Sequence, residues 1–271
     1  MLIFNTTGTL GDTYVYCCKF SGIKEDISLL HRTLHHNWHS KIREIYSLVP
    51  NIINIKFCDN PHSRICDKKY PFVMHFTKPF PGEYKEIKMN FFPQFEFKSD
   101  YKFDFSYIVI QPKSGRKKQK KELPIQLVKK IIRQSKYKVV LVGTSKKYEG
   151  LSDCINLINK TSLMDSFKII QNAKYFIGFF GILTMVALSN RVSSNYIYID
   201  EKELKNRVYG TPWEKYSKRI IKFEDFQAQI SMIYKIRNMI FILIRSLLPL
   251  NIRIILKDKF KKFLPKIFSS S

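Results

Sequence analysis

The chain has 271 residues, and its 47 Lys and Arg residues against 22 Asp and Glu residues give a net charge of +25. This length fits one large domain or two of ordinary size, and a hydrophobic content of 45% is enough for a substantial core. The charge predicts an anionic partner (nucleic acid, an anionic membrane or a phosphorylated substrate), and five scattered cysteines without a CxxC pair exclude a disulfide framework.

The amino-terminal residues 2–5 form a short apolar run that predicts a first β-strand. The run has no basic region before it and no long apolar stretch after it, so a secretory signal peptide is not expected. Together with the scattered cysteines, this favours a location in the reducing cytoplasm.

A glycine-containing loop follows this strand and leads into a predicted helix that begins near Asp12 and continues over residues 14–20. Its two glycines let the backbone turn tightly and approach a ligand closely. Asp12 lies where the helix begins, and two interpretations of it stay open. It is either a helix-capping or first-turn carboxylate, or a carboxylate exposed at the carboxyl edge of a sheet, where open α/β folds place their chemistry.

Four histidines (His31, His35, His36 and His39) follow a predicted strand at residues 26–30, and three of them have helical spacing. His31, His35 and His39 would lie on one face if this segment were helical, and such spacing can hold a metal ion. No acidic residue or cysteine stands at a matching offset in the sequence. A surface loop or the polar wall of a cleft is therefore favoured, and no metal site is predicted.

The most informative stretch of the sequence is 107–124. Its first residues, Tyr107–Ile110, are apolar and mostly β-branched, which predicts a buried parallel strand. A helix is predicted from Pro124, because proline suits the first helical turn. Cations beside the free N–H groups of a helix terminus favour a phosphate site over a solvated loop. The residues of the intervening basic loop that we assign to this site are Ser114, Gly115, Arg116 and Lys121.

Strands and helices alternate through the rest of the second half. Buried strands are predicted at residues 137–144, 154–158, 175–178 and 195–199, and helices at 163–172 and 182–189. Thr161 or Ser162 is expected to cap the first of these helices. This alternation predicts βαβ units, a parallel sheet and right-handed crossovers.

Three regions are predicted along the chain. They are an amino-terminal domain (1–104) that ends in a linker near residues 97–104, a second domain (105–226) and a tail (227–271). In the tail, lysines and arginines alternate with bulky apolar residues at helical spacing, and its uncharged apolar runs are far shorter than the roughly 20 residues needed to span a bilayer. This pattern favours a basic amphipathic helix on an anionic membrane surface, and a helix that packs back on the domains is the alternative.

The second half, best over residues 107–199, resembles the carboxy-terminal domain of family 9 glycosyltransferases, the heptosyltransferase-like enzymes of bacterial lipopolysaccharide and capsule synthesis. The landmarks are Gln111–Arg116, Lys121–Pro124, Val139–Gly143, Ile158–Leu163, Ala173–Gly178 and Gly181. The first half is similar to the family mainly at Gly11-Asp12. The resemblance implies a GT-B-like α/β architecture, in which two Rossmann-like domains with parallel sheets face a central cleft.

The resemblance also implies roles for individual residues. Asp12 would be the general base that deprotonates the acceptor hydroxyl group, and Lys121 would bind the donor diphosphate. The other residues implied in donor binding are Ser114, Gly115 and Arg116 in the basic loop, Gly143 and Thr144 in the turn after a strand, and Gly181 and Thr184 at the late helix. Lysine, arginine and a helix terminus can neutralise the leaving diphosphate, so no metal and no cofactor beyond the nucleotide sugar are implied.

The resemblance, together with the basic tail, therefore implies an inverting glycosyltransferase that moves a sugar from a nucleotide-diphosphate donor to a lipid-linked or cell-surface glycan acceptor at the inner face of the cytoplasmic membrane. A nucleic-acid-binding protein is the first alternative, although no helix-turn-helix, zinc-finger or RNP-like stretch is present. A catalytically degenerate scaffold is the second. It stays open because Phe179, Phe180, Gly181 and Thr184 stand where the family usually has Asp-Ser/Thr-Gly and a later His.

Overall fold

A computed structural model of the chain describes residues 1–33, 36–58, 90–114 and 122–232. The chain divides into two compact units, Met1–Ile221 and Lys222–Ser271. The first unit contains two β-sheets, built mainly of parallel strands, and the helices that pack on them. One sheet lies within the predicted domain 1–104 and the other within 105–226, and the domain limits themselves stay a prediction.

The first sheet has three parallel strands in the order β1-β2-β3. These strands are β1 (Leu2–Thr7), β2 (Ile27–Arg32) and β3 (Ile52–Cys58). Helix α1 (Leu10–Phe20) follows β1, and helix α2 (His39–Tyr46) precedes β3. All six residues of β2 are buried, since this strand lies between its two neighbours.

The second sheet has six strands in the order β6-β5-β4-β7-β8-β9, and the pairs from β6 to β8 run parallel. Its strands are β4 (Tyr107–Ile110), β5 (Lys138–Leu141), β6 (Ile155–Asn156), β7 (Tyr175–Phe179), β8 (Ser193–Tyr198) and β9 (Ser217–Lys222). The helices that connect them are α3 (Ile125–Gln134), α4 (Leu163–Gln171), α5 (Ile182–Ser189) and α6 (Glu201–Arg207).

Local sequence signals account for most of these elements. The helix at residues 182–189 begins and ends where predicted. Ser162 caps α4, because its hydroxyl group accepts from the Asp165 amide at 3.1 Å while the Asp165 carboxylate accepts from the Ser162 amide at 2.9 Å. Pro124 is the capping residue just before α3, one position earlier than expected. Helix α6 and strand β9 were not predicted.

The segment before β4 was predicted to be a linker near residues 97–104, and it has no helix or strand there. Its aromatic side chains nevertheless belong to the core. Phe95 packs edge-on against Tyr14 of α1 at 5.8 Å between ring centroids, and Phe97 packs against Phe167 of α4 at 5.4 Å. This segment therefore joins helices from both halves of the first unit.

The second unit begins at Lys222, whose ammonium group pairs with the Glu224 carboxylate at 2.6 Å. Residues 223–232 are helical, and residues 233–271 of the predicted amphipathic tail lie outside the described residues. Within the described ranges, every helix is too short or too polar to cross a lipid bilayer.

Helix α1 packs directly on helix α5. The buried Tyr14 hydroxyl group of α1 lies 2.7 Å from the buried Ser189 hydroxyl group at the end of α5. This hydrogen bond and the surrounding apolar contacts fix the position of α1, and with it the end of β1, relative to α5.

We predict that Tyr14→Phe and Ser189→Ala each lower the free energy of unfolding by about 1 kcal/mol, the usual net value of a buried hydrogen bond. Because both changes remove the same bond, the double variant should lose less than the sum of the two. Urea unfolding of the four proteins measures this coupling. Strictly additive losses would show that the bond does not join the two helices.

Candidate active site

The carboxyl ends of β1 and β2 lie side by side, and the loop after β1 turns over them. The Gly8 amide donates to the Arg32 carbonyl oxygen at 3.0 Å, which ties this loop to the end of β2. Gly8 has a φ of +128°, and a Cβ atom at this position would lie 2.1 Å from Oδ2 of Asp12. Glycine is therefore required here by both the backbone conformation and the proximity of the carboxylate.

Asp12 lies in the first turn of α1, and its carboxylate is buried, with 6% of the side chain exposed. Oδ2 accepts hydrogen bonds from the Thr9 amide at 2.6 Å and from the Thr9 hydroxyl group at 3.0 Å. Of the two interpretations left open by the sequence, the first-turn role is thus present. It does not exclude the other, because Asp12 also lies at the carboxyl edge of the sheet.

The second oxygen of Asp12 contacts an arginine from the other half of the unit. Nη2 of Arg207, at the end of α6, lies 2.5 Å from Oδ1 of Asp12, and 12% of the arginine side chain is exposed. Arg207 was not among the site residues predicted from the sequence. Nothing in its local sequence distinguishes it among the 47 Lys and Arg residues of the chain, because the contact joins positions far apart in sequence.

The amino-terminal end of α5 lies beside the first turn of α1. A Cβ atom at Gly11, the residue before Asp12, would lie 3.6 Å from the Ile182 backbone nitrogen. Gly181 precedes α5 in an extended conformation, and the nearest atom to a Cβ there, among the described residues, would be the Phe179 carbonyl oxygen at 4.0 Å. Gly181 thus has open space beside a helix terminus whose first amides lack intrahelical partners.

The base of the basic loop is closed by a pairing of its two ends. Lys113 and Glu122 form an antiparallel bridge, and the Lys113 ammonium group lies 3.0 Å from the Glu122 carboxylate. Lys147, from the loop after β5, lies 3.3 Å from the other oxygen of Glu122. The bond from Lys113 lowers the pKa of Glu122, so the carboxylate stays ionised. Lys113 and Lys147 were not among the site residues predicted from the sequence.

The other residues predicted to contact the donor differ in burial, and some lie outside the described residues. Ser114 is half-buried at the start of the basic loop, while Gly115, Arg116 and Lys121 lie outside the described residues. Gly143 has a φ of +107° in the turn after β5, and Thr144 next to it is exposed. Thr184 is fully buried, and its hydroxyl group donates to the Phe179 carbonyl oxygen at 2.9 Å, so it closes the turn between β7 and α5.

The segment that contains the histidines is not one continuous helix, so His31 and His39 do not share a helical face. His31 lies in β2, His39 begins α2, and His35 is outside the described residues. Nδ1 of the buried His31 is 2.9 Å from the hydroxyl groups of Thr6 and Tyr46. Among the described residues, no three His, Cys, Asp or Glu side chains are grouped to hold a metal ion.

No family model matches this sequence, and no curated protein is significantly similar to it. Solved structures do match. A family 9 glycosyltransferase from Veillonella parvula is 12% identical with a TM-score of 0.53, and the match covers 85% of this chain and 89% of that one. The E. coli ADP-heptose lipopolysaccharide heptosyltransferase II is 13% identical with a TM-score of 0.51, covering 82% of this chain and 90% of that one.

The iron-containing dodecameric glycosyltransferase TibC from enterotoxigenic E. coli is 15% identical with a TM-score of 0.46. That match covers 78% of this chain and 61% of TibC, so the chain spans less than two thirds of TibC. The Veillonella and heptosyltransferase II structures show the fold. The chain shares the α/β fold of these two structures, which confirms the predicted α/β architecture with parallel sheets for the described residues.

We predict that Gly8→Ala lowers the free energy of unfolding by at least about 2 kcal/mol, because the new methyl group overlaps Asp12 and the backbone conformation is strained. Gly210→Ala is the matched control. Gly210 also has a positive φ of +72°, but a Cβ there meets no atom within 4 Å, so only the backbone cost of about 1 kcal/mol remains. Equal losses in urea unfolding would contradict the close approach of Gly8 to Asp12.

Burial lowers the pKa of His31 to about 4, and His39 adds to this, whereas the Gly8 backbone opposes it. The unfolded chain therefore binds a proton at His31 at a higher pH than the folded chain does. We predict that this contribution to stability is complete above pH 6.5 and is lost as the pH falls towards 4, by at most about 1.4 kcal/mol per pH unit. His31→Gln should flatten the unfolding free energy over this range, and parallel curves would contradict the prediction.

Proposed function

We propose that this chain is an inverting glycosyltransferase that moves a sugar from a nucleotide-diphosphate donor to a hydroxyl group of a glycan acceptor. The observation that carries the proposal is the proximity of two groups from different halves of the unit. Asp12 follows Gly11, which lies beside the amino-terminal end of α5. A carboxylate can take the acceptor proton, and a helix terminus can stabilise the phosphate that leaves.

The donor diphosphate is proposed to bind between the start of α5 and the basic loop. The open space at Gly181 lets a phosphate reach the first amides of α5, a common arrangement for anions. Lys113 and Lys147 already converge on the Glu122 carboxylate, so two cations are held at the base of the loop that contains Arg116 and Lys121. Gly143 and Thr144 follow β5, the strand next to β4, and complete the proposed donor side.

The reaction is a single displacement at the anomeric carbon. The acceptor oxygen forms a bond to this carbon as the carbon–oxygen bond to the diphosphate breaks, and the electron pair leaves with the diphosphate. Asp12 receives the hydroxyl proton. The cations and helix amides stabilise the negative charge that develops on the leaving group, the role that a metal ion has in other enzymes.

Chemistry and one similar structure support a choice of donor and acceptor. Heptosyltransferase II of E. coli is named for an ADP-heptose donor and lipopolysaccharide, so an ADP-linked sugar is the first donor to test. We propose a lipid-linked or cell-surface glycan acceptor, as in lipopolysaccharide, lipooligosaccharide or capsule synthesis. The net charge of +25 supports an anionic surface as the place of reaction.

We further propose that residues 227–271 hold the enzyme at the inner face of the cytoplasmic membrane. The support for this is the alternation of basic and bulky apolar residues in the sequence. Such a segment lies in the headgroup region of an anionic leaflet without crossing the bilayer.

A thermal-shift panel of ADP-, UDP-, GDP- and CDP-linked sugars tests the donor site. One nucleotide should raise the unfolding temperature of the wild-type chain specifically. Gly181→Ala should keep its stability, since its extended backbone and open surroundings accept a methyl group, but should bind that nucleotide about tenfold more weakly because the methyl group obstructs the phosphate. Gly150→Ala, where a Cβ also meets no atom within 4 Å, is the control and should bind normally.

Release of the nucleoside diphosphate then tests the chemistry. Asp12→Asn should reduce turnover of the stabilising donor at least about 100-fold, the usual contribution of a general base. Binding of a donor without Asp12-dependent turnover would favour the catalytically degenerate scaffold. Stabilisation by none of these compounds would contradict the donor site.

A further inference from the structure

The Asp12 carboxylate has a partner on each of its oxygens. Thr9 donates two hydrogen bonds to Oδ2, and Arg207 lies 2.5 Å from Oδ1. The guanidinium group of Arg207 occupies the space beside Oδ1, so a substrate hydroxyl group that approaches this side of the oxygen has to displace it. The Thr9 contacts are local to the helix start, so they are kept as long as α1 keeps its first turn.

Arg207 is the partner that can change. It lies in the last turn of α6, a seven-residue helix in the half of the unit that contains the proposed donor site. The Asp12 to which it binds is one residue from Gly11, and Gly11 lies beside the Ile182 amide of α5. Arg207 and the start of α5 therefore both lie against the first turn of α1, at two neighbouring residues.

We propose that Arg207 is a gate on Asp12, and this inference rests on the proposed function. Without a donor, the guanidinium group pairs with the carboxylate and holds it inactive. A nucleotide diphosphate draws the guanidinium group to its phosphate oxygens, with which arginine forms strong two-point hydrogen bonds. Oδ1 is then open to the acceptor hydroxyl group, and the proton base becomes available only when a donor is bound.

Two tyrosines near the Asp12 carboxylate stay neutral and add no charge to the Asp12–Arg207 pair. Tyr16, one turn further along α1, and Tyr46, of α2, both interact electrostatically with Asp12. Burial, and to a smaller extent the Asp12 charge, raise the pKa of Tyr16, and burial raises that of Tyr46, so both stay neutral. Arg207 carries the positive charge that directly contacts the Asp12 carboxylate.

The gate predicts how the affinity for a nucleoside diphosphate changes when the Asp12 charge is removed. If Asp12 and the diphosphate compete for one guanidinium group, removing the Asp12 charge should tighten diphosphate binding. We expect Asp12→Asn to bind the preferred member of ADP, UDP, GDP and CDP several-fold to about tenfold more tightly than the wild type. Asp12→Asn/Arg207→Gln should lose about tenfold relative to Asp12→Asn, because the arginine that binds phosphate is gone.

Isothermal titration calorimetry with these four diphosphates on the full chain measures the affinities. Arg207→Gln completes the cycle, and in its background Asp12→Asn should have little effect, since no guanidinium group is left to release. The double variant has no unpaired buried charge, so its comparison with Asp12→Asn stands even where Arg207→Gln alone does not fold. Lys205→Gln, which removes an exposed cation from the same helix, is the control and should bind like the wild type.

Three outcomes would overturn the gate. Equal affinities of Asp12→Asn and the double variant would show that Arg207 does not bind the diphosphate. An Asp12→Asn effect that persists undiminished in the Arg207→Gln background would show direct repulsion between carboxylate and phosphate without a gate. Binding of none of the four diphosphates to the wild type would instead contradict the proposed function itself, which separates the two failures.

Discussion

The packing of α1 on α5 is the contact on which the rest of the site depends. Helix α5 is apolar nearly all round, and its residues from Leu183 to Ser189 are buried. A helix of this kind has to be covered on every side, so it lies between the second sheet and α1. Helix α1 starts at the end of β1. Because α1 covers α5, the first turn of α1 lies beside the first turn of α5.

A buried charge imposes the second constraint. Taking the Asp12 carboxylate out of water costs several kcal/mol unless hydrogen bonds and an opposite charge compensate it. Thr9 provides the hydrogen bonds and Arg207 the charge, and the two come from opposite halves of the unit. In the proposed gate, the pair that stabilises the folded chain is also the pair that holds the Asp12 carboxylate away from the acceptor, so stability and chemistry would compete for one carboxylate.

Sequence reasoning succeeded where the signal is local and failed where it is not. The apolar run at Tyr107–Ile110, the Ser162 cap and the bounds of α5 follow from the few residues around them, and each lies where predicted. The helical arrangement considered for the histidines did not occur, because the buried β2 strand continues through His31. Helix α6 and strand β9 were missed since their polar sequences contain no strong periodic pattern.

The sequence by itself determined the parallel α/β class, the positions of Asp12 and Gly181 at strand ends and the excess of positive charge. These depend on side-chain periodicity, turn residues and composition, which are properties of short stretches. Only the tertiary structure decided that Arg207 pairs with Asp12 and that Lys113 and Lys147 share Glu122. Such ion pairs form between residues that are far apart along the chain. Folding decides which few of the many lysines and arginines lie beside a carboxylate, and the sequence around each cation does not predict this.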